Sequence, residues 1–314
     1  MRIVSASDID AALDFPALVD VLREAFAGGV HAPPRHHHTI ANAAGDDQTL
    51  LLMPAWSDRH IAVKMVVVTP DNGTRSLPTV MGSVVLMDKT TGAPVAMLDG
   101  TRLTLWRTAA ASALAARYLA PAEPRTLLVI GAGALAPFLA RAHLAVRDFQ
   151  AIAVWNRREA SAERLAAELA AEGHDARHVP AGQLDAAIGE ADVITAATLS
   201  TEPLVKGAHV KPGTHVDLVG AFTPDMRESD DRCIEMASVF VDTYAGALHE
   251  GGDIVQPIKA GRIARGHIRA ELRDLVEGAH PGRTSAGEVT VFKSTGASLE
   301  DIAAATLVAD RCGL

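Results

Sequence analysis

Little in this chain suits a secreted, membrane-spanning or nucleic-acid-binding protein. It has only two cysteines, Cys233 and Cys312, far apart and without metal-ligand spacing. They read as buried thiols in a reducing compartment, and no metal is expected. No apolar run reaches the length of a membrane span, and Met1-Arg-Ile-Val-Ser-Ala-Ser7 has no signal-peptide apolar core, so the expected location is the cytoplasm. Positive charge is short: 29 Lys and Arg against 38 Asp and Glu leave −9 at pH 7. That argues against nucleic acid or an anionic membrane as partner. Any anionic ligand must then be held by cations placed for it. Low-complexity and linker-like stretches are also missing. What remains is a chain 48% hydrophobic, whose 314 residues suffice for two domains of ordinary size.

The most informative stretch is Thr126-Leu-Leu-Val-Ile130 followed by Gly131-Ala-Gly133-Ala-Leu-Ala136. Five apolar or β-branched residues predict a strand buried on both faces, and two glycines then turn the chain into an Ala/Leu-rich helix. Gly131 permits the turn, Gly133 has no Cβ to hold a diphosphate away from the backbone amides, and Ala136 lets the helix lie close on its strand. The helix start offers N–H groups and partial positive charge to phosphates. A second strand, Ala151-Ile-Ala-Val-Trp155, follows at the spacing of a βαβ unit, which identifies a dinucleotide site. Where an acid would meet the ribose 2′-hydroxyl stands Asn156, followed by Arg157 and Arg158. A neutral amide beside guanidinium groups can accept a 2′-phosphate, so NADP(H) is expected over NAD(H), which stays possible. Two arginines opening a helix could equally be solvated surface.

Around this unit the chain divides. Ser7 and Asp8 can cap a first helix, and Phe15 to Ala27 has helical apolar spacing before Gly28-Gly29. Pro33-Pro-Arg35-His-His-His38 lacks the i, i+4 pair of a helical metal site, and Arg35 is the better candidate there, for a carboxylate. From Gln48 to Gly100 short strands with tight turns predict a mostly antiparallel sheet. Lys64 sits in the apolar run His60 to Val68 and must find a partner, reach the surface or lower its pKa; an edge strand would place it in solvent. Thr101 to Leu119 reads as a helix with Arg107 on the stripe of Leu103, Ala110 and Leu114. That arginine calls for an anion, or for an acid such as Asp99.

Beyond 130 helices and strands alternate, predicting a six-strand-type, doubly wound (Rossmann-type) parallel sheet. Thr195 to Thr198 and Gly220 to Thr223 fall at carboxyl ends of strands, where such sheets bind ligands. Val289 to Gly296 leads into a last helix capped by Ser298, with Asp301 three residues on. The expected fold is α/β: a substrate-binding and dimerisation domain over 1–119, completed by a C-terminal helix over 297–314, and a dinucleotide-binding domain over 120–296.

Taken together, Pro34-Arg35, Lys64, Ser76-Leu-Pro-Thr79-Val, Asp99-Gly-Thr-Arg-Leu-Thr104, Arg107-Thr-Ala-Ala-Ala-Ser112, the glycine turn, Trp155-Asn-Arg157 and Phe292-Lys-Ser-Thr-Gly296 resemble the ornithine cyclodeaminase and μ-crystallin family over essentially the whole chain. The resemblance implies that Arg35, Lys64 and Arg107 surround an amino- or imino-acid carboxylate, with Lys64 and Arg107 catalytic and Thr295 bordering the substrate. It further implies that Thr79, Arg107, Ala134, Leu135, Asn156, Arg157 and Ser294 meet a nicotinamide dinucleotide, beside Gly131, Gly133 and Thr198. A homodimer joined through the N-terminal sheet is implied as well.

One departure bears on activity. The cyclodeaminases and related archaeal alanine dehydrogenases carry an acid in the segment that here reads Val219-Gly-Ala-Phe222-Thr-Pro224. Expelling ammonia needs proton transfers that a phenyl ring cannot perform, whereas reducing a cyclic ketimine mainly needs orientation and hydride. Gly220 to Glu228 also resembles the reductase branch acting on Δ1-pyrroline-2-carboxylate and Δ1-piperideine-2-carboxylate, to give L-proline and L-pipecolate. Asp225 could replace the missing acid. The alternatives are therefore an ornithine cyclodeaminase, an amino-acid dehydrogenase, or a non-catalytic, dinucleotide-dependent small-molecule binder. Lys64 with Arg107 argues against the last.

Overall fold

The computed structural model describes residues 1–314 other than Ala44 and Ser76, so the serine of the Ser76-Leu-Pro-Thr79 motif lies outside the described residues. In chain order the first elements are β1 (Arg2–Val4), α1 (Ala6–Ala12), α2 (Phe15–Ala27), β2 (His36–Ile40), β3 (Gln48–Trp56), β4 (His60–Val68), β5 (Val80–Asp88), β6 (Pro94–Asp99) and α3 (Gly100–Leu119). Then follow β7 (Thr126–Ile130), α4 (Ala136–Leu144), β8 (Ala151–Trp155), α5 (Glu159–Ala171), β9 (Ala176–His178), α6 (Leu184–Glu190), β10 (Val193–Ala196) and β11 (His215–Leu218). The remainder is α7 (Asp231–Met236), β12 (Ser238–Val241), α8 (Tyr244–Ala247), α9 (Gly252–Lys259), β13 (Ile268–Glu271), α10 (Leu272–Val276), β14 (Thr290–Lys293) and α11 (Ser298–Arg311).

Two compact units result: Met1–Thr108 with Ala297–Leu314, and Ala109–Gly296. The division falls inside α3 rather than after residue 119, because Ala116 and Ala120 join the core of Leu127 and Val129. Among the described residues no helix is long and apolar enough to cross a membrane.

The first unit is a six-stranded sheet in the order β1-β6-β5-β4-β3-β2, antiparallel except where β1 runs parallel to β6. Helix α2 forms where its apolar stripe dictates: Leu18, Val19, Leu22 and Phe26 are buried. Asp14 caps it through the Ala17 N–H at 2.9 Å, satisfying one of the orphan donors of a helix start. The cap of α1 is Ser5, not Ser7, with Asp8 returning a bond to the Ser5 N–H at 2.9 Å. Helix α11 packs on α2 and on β3, β4 and β5. Strand alternation then sends Ala62, Lys64 and Val66 into the buried face, while Ile61, Val63 and Met65 lie half-buried or exposed on the other. The three histidines at 36–38 form an edge strand, exposed throughout.

The second unit is a parallel sheet of eight strands, two more than the sequence pattern suggests, in the order β13-β12-β14-β11-β10-β7-β8-β9. Strand β13, with Arg269 and Glu271 among its four residues, lacks the apolar run that marks its neighbours. The reversal of strand order beside β7 is the doubly wound arrangement in which ligands bind beyond the carboxyl ends.

Candidate functional site

Two groups of candidate residues assemble, one in each unit. In the first, Lys64 lies on an interior strand, with Met53 of β3 and Val84 of β5 as its register partners. It is 1% exposed, so the solvent-facing edge lysine that the sequence left open is overturned. Its Nζ donates to Asp301 Oδ1 at 2.8 Å and to Thr104 Oγ1 at 3.3 Å. Arg107, 5% exposed, donates from Nε to the same Asp301 oxygen at 3.0 Å and from Nη1 to Glu300 Oε2 at 2.7 Å. Asp99 is not its partner; that carboxylate receives the Arg102 N–H at 2.8 Å.

Burial pushes the Lys64 ammonium down to about 8, Arg107 and Arg35 adding repulsion against the pull of Asp301. Burial opposes ionisation of Asp301, but Lys64 and Arg107 hold its carboxyl below the usual range, with Arg35 adding to them. Arg35, half-buried ahead of β2, is thus electrostatically part of the group. Lys64, Arg107 and Arg35 share one electrostatic environment around Asp301, and Arg107 pairs with Glu300 as well. Thr79, half-buried before β5, gives its carbonyl to the Thr69 N–H at 2.8 Å.

Neither Asp301 nor Glu300 is legible as a site residue beforehand, since acids in a first helical turn ordinarily serve the helix dipole. Ser298 is not the cap of α11. The cap position is Ala297, and Glu300 Oε1 reaches back to its N–H at 3.2 Å.

The second unit carries the glycine turn. Gly131 adopts φ 105°, where a side chain is strained, and an added Cβ would lie 2.7 Å from the Ala197 carbonyl oxygen. A Cβ at Gly133 would meet nothing within 4 Å, so the space over the turn is open, as a diphosphate requires. The N–H groups of Gly133, Ala134 and Leu135 have no hydrogen-bond partner among the described residues, and α4 begins without a side-chain cap. Those donors fit an anion at a helix start. Asn156 is built into the turn: its Oδ1 accepts the Ala132 N–H at 3.2 Å and its Nδ2 donates to the Arg158 carbonyl at 3.0 Å. Arg157 is exposed.

Two carboxylates that the pattern did not single out shape the strand ends. Glu228 is fully buried and spans two loops, taking the Thr198 N–H at 2.6 Å and hydroxyl at 2.9 Å on one oxygen and the Gly220 N–H at 2.6 Å on the other. Burial pushes its carboxyl up to about 7, against the opposing pull of Lys293 and with repulsion from Asp253. Asp242, at the end of β12, takes the N–H groups of Thr295 at 2.7 Å and Gly296 at 2.6 Å, with Ser294 Oγ at 3.4 Å. Thr198, Ser294 and Thr295 are thus held in place by acids distant in sequence. Phe222 is half-buried and Asp225 exposed. Among the described residues no group of three or more His, Cys, Asp or Glu could hold a metal ion.

The chain as a whole is similar to known proteins. The chain is 37% identical over 284 residues to a Δ1-pyrroline-2-carboxylate reductase of Paracoccus denitrificans, covering 88% of this chain and 89% of that one. Its structure matches that of a Thermococcus litoralis Δ1-pyrroline-2-carboxylate reductase in complex with NADH and L-proline, with TM-score 0.94, 33% identity and coverage of 99% and 97% of the two chains. It also matches an archaeal alanine dehydrogenase dimer with bound NAD, with TM-score 0.92, 29% identity and coverage of 99% and 96%. The family profile matches residues 2–313, nearly end to end, and the chain is therefore a member of the ornithine cyclodeaminase/mu-crystallin family.

Proposed function

We propose that this protein is an NAD(P)-dependent oxidoreductase that reduces cyclic ketimine acids, Δ1-pyrroline-2-carboxylate to L-proline and Δ1-piperideine-2-carboxylate to L-pipecolate. The observation that carries the reading is the buried pair Lys64 and Arg107, with half-buried Arg35 adding its charge, against Glu300 and Asp301. Cations gathered at one point suit a carboxylate, whose charge is costly to bury without such partners. The reductases among the relatives support the same substrate class.

The dinucleotide, held at the open turn of Gly131 to Leu135, supplies hydride when bound. Lys64 and Arg107 orient the substrate carboxylate, and their burial keeps competing water away. The reaction takes up one hydride at carbon and one proton at nitrogen, so the carbon–nitrogen double bond becomes an amine. Following NADH and NADPH absorbance with a panel of cyclic imines and amino acids tests the reading; oxidation of neither cofactor by any cyclic imine acid overturns it.

Cofactor choice is assigned to Arg157, exposed directly after the turn-building Asn156. Arg157→Ala is expected to raise KM for NADPH about 10-fold, the effect of losing one charge-assisted phosphate contact, and to leave NADH little changed. Equal losses for both cofactors would show that Arg157 does not read a 2′-phosphate.

We also propose a homodimer joined through the first unit's sheet. Its second face presents Ile61, Val63, Met65, Met81, Val85 and Met97, half-buried or exposed. An apolar sheet face of this kind is stabilised by being covered. Sedimentation at micromolar concentration should give twice the 32.9 kDa chain mass; a monomer refutes the pairing.

A further inference from the structure

Asp301 is as buried as the lysine it meets, both side chains being 2% exposed. Its Oδ1 receives two cations, Lys64 Nζ and Arg107 Nε. Its Oδ2 is equally enclosed and has no hydrogen-bond partner among the described residues. The adjacent Glu300 differs: one oxygen takes Arg107 and the other the Ala297 N–H, which closes the start of α11. Glu300 thus closes the helix start and also pairs with Arg107. A buried acceptor left unfilled costs about 1 to 3 kcal/mol, more when charged, and Lys64 and Arg107 engage only Oδ1.

The chemistry that would fill it is specific. A ligand reaching this group brings a carboxylate for Arg35, Lys64 and Arg107. A cyclic imino acid also brings a protonated nitrogen next to the carbon bearing that carboxylate. We propose that Asp301 is a further residue of the substrate site, whose Oδ1 fixes Lys64 and Arg107 and whose Oδ2 accepts the N–H of the bound iminium. This rests on the reading above.

The role is more than positioning. An ionised acceptor on the nitrogen favours the protonated imine, the form whose carbon takes hydride. As the new C–H bond forms, the π pair of the C=N bond moves onto nitrogen, which keeps the proton it arrived with and leaves as an amine. Selectivity follows as well, because a planar acid of the same size without a ring N–H leaves Oδ2 unfilled.

The test needs no turnover. Pyrrole-2-carboxylate carries the ring N–H and furan-2-carboxylate replaces it with oxygen, so the two differ at the atom in question. Titrated into the protein with NADH by calorimetry, the pyrrole acid is expected to bind at least about 10-fold tighter than the furan acid. Asp301→Asn, which turns an acceptor into a donor while keeping the shape, should bring the two within about twofold and leave NADH binding unchanged. Equal affinities in the unmutated protein overturn the proposal whether or not the variant folds. A preference that survives in Asp301→Asn overturns it too, and makes the aspartate a structural partner of Lys64. Imine reduction without ring discrimination would sink this inference alone, whereas failure to reduce any cyclic imine sinks the functional reading beneath it.

Discussion

Lys64→Met is expected to lower kcat/KM for Δ1-pyrroline-2-carboxylate by about 100-fold or more, equivalent to about 2.7 kcal/mol of lost transition-state stabilisation. Methionine preserves length and apolar contacts on the buried face of β4, so the change isolates the charge. Asp301 keeps Arg107 as a counter-ion. A circular-dichroism melt of the variant separates loss of chemistry from loss of fold.

The pH profile supplies a second readout. Arg107 from α3, Arg35 ahead of β2, and Asp301 and Glu300 from α11 surround the lysine, whose ammonium is brought down to about 8 by burial first and then by the arginines. With Lys64 as a required cation, kcat/KM should be level below about pH 8 and fall about tenfold per pH unit above it. Unfolding at this group would not mimic that fall. The native lysine releases its proton near 8, before an ordinary one at 10.5, so the unfolded state binds more protons in that window. The group's contribution to stability therefore rises with pH there. Lys64→Met activity within about threefold of the parent, or an unchanged alkaline limb in the variant, would return the lysine to a purely structural role.

The glycine turn was legible in sequence because its signal is local. Strand β7, the φ of Gly131 and the start of α4 lie within eleven residues, and each is dictated by residue type at that place. Alternation along β4 likewise predicted a buried lysine or a solvated one, but could not choose. The choice depends on Asp301, 237 residues away, and Arg107 meets Glu300 across 193. Without those partners Asp99 was as reasonable an anion as any.

The same holds for Glu228 and Asp242, which collect backbone N–H groups from other loops and leave no periodic trace. Strand β13 and the histidine strand β2 escaped for a different reason. They are edge strands with polar residues, paired on one side only, and edges tolerate such residues. The sequence pattern predicts six strands of the parallel sheet; β14 lies in the run read as leading into the last helix, and β13 is set by its neighbour β12.

The unmutated protein should release little or no ammonia from L-ornithine with either NAD⁺ or NADP⁺, at under about one hundredth of its kcat/KM for cyclic imines. Cyclodeamination requires a base and an acid acting in turn on two nitrogens, whereas hydride delivery to a protonated iminium requires orientation and a reduced nicotinamide. The segment where deaminating relatives are expected to hold an acid presents Phe222, half-buried, with its N–H donating to the Gly220 carbonyl at 3.0 Å. Asp225 is exposed three residues on, so water rather than a dry site surrounds it. Glu228 is buried with a carboxyl near 7, a suitable range for proton transfer, but Thr198 and Gly220 occupy both of its oxygens. Moving it to a substrate would strand those N–H groups, at about 1 to 3 kcal/mol each. Phe222→Asp is a poor probe of the idea, because lost ring packing could mask a gain. The measurement belongs on the parent protein, with ammonia and proline quantified together. Proline formed from ornithine with stoichiometric ammonia, at a kcat/KM comparable to imine reduction, would overturn the reductase assignment and direct attention to Asp225 as the substitute acid.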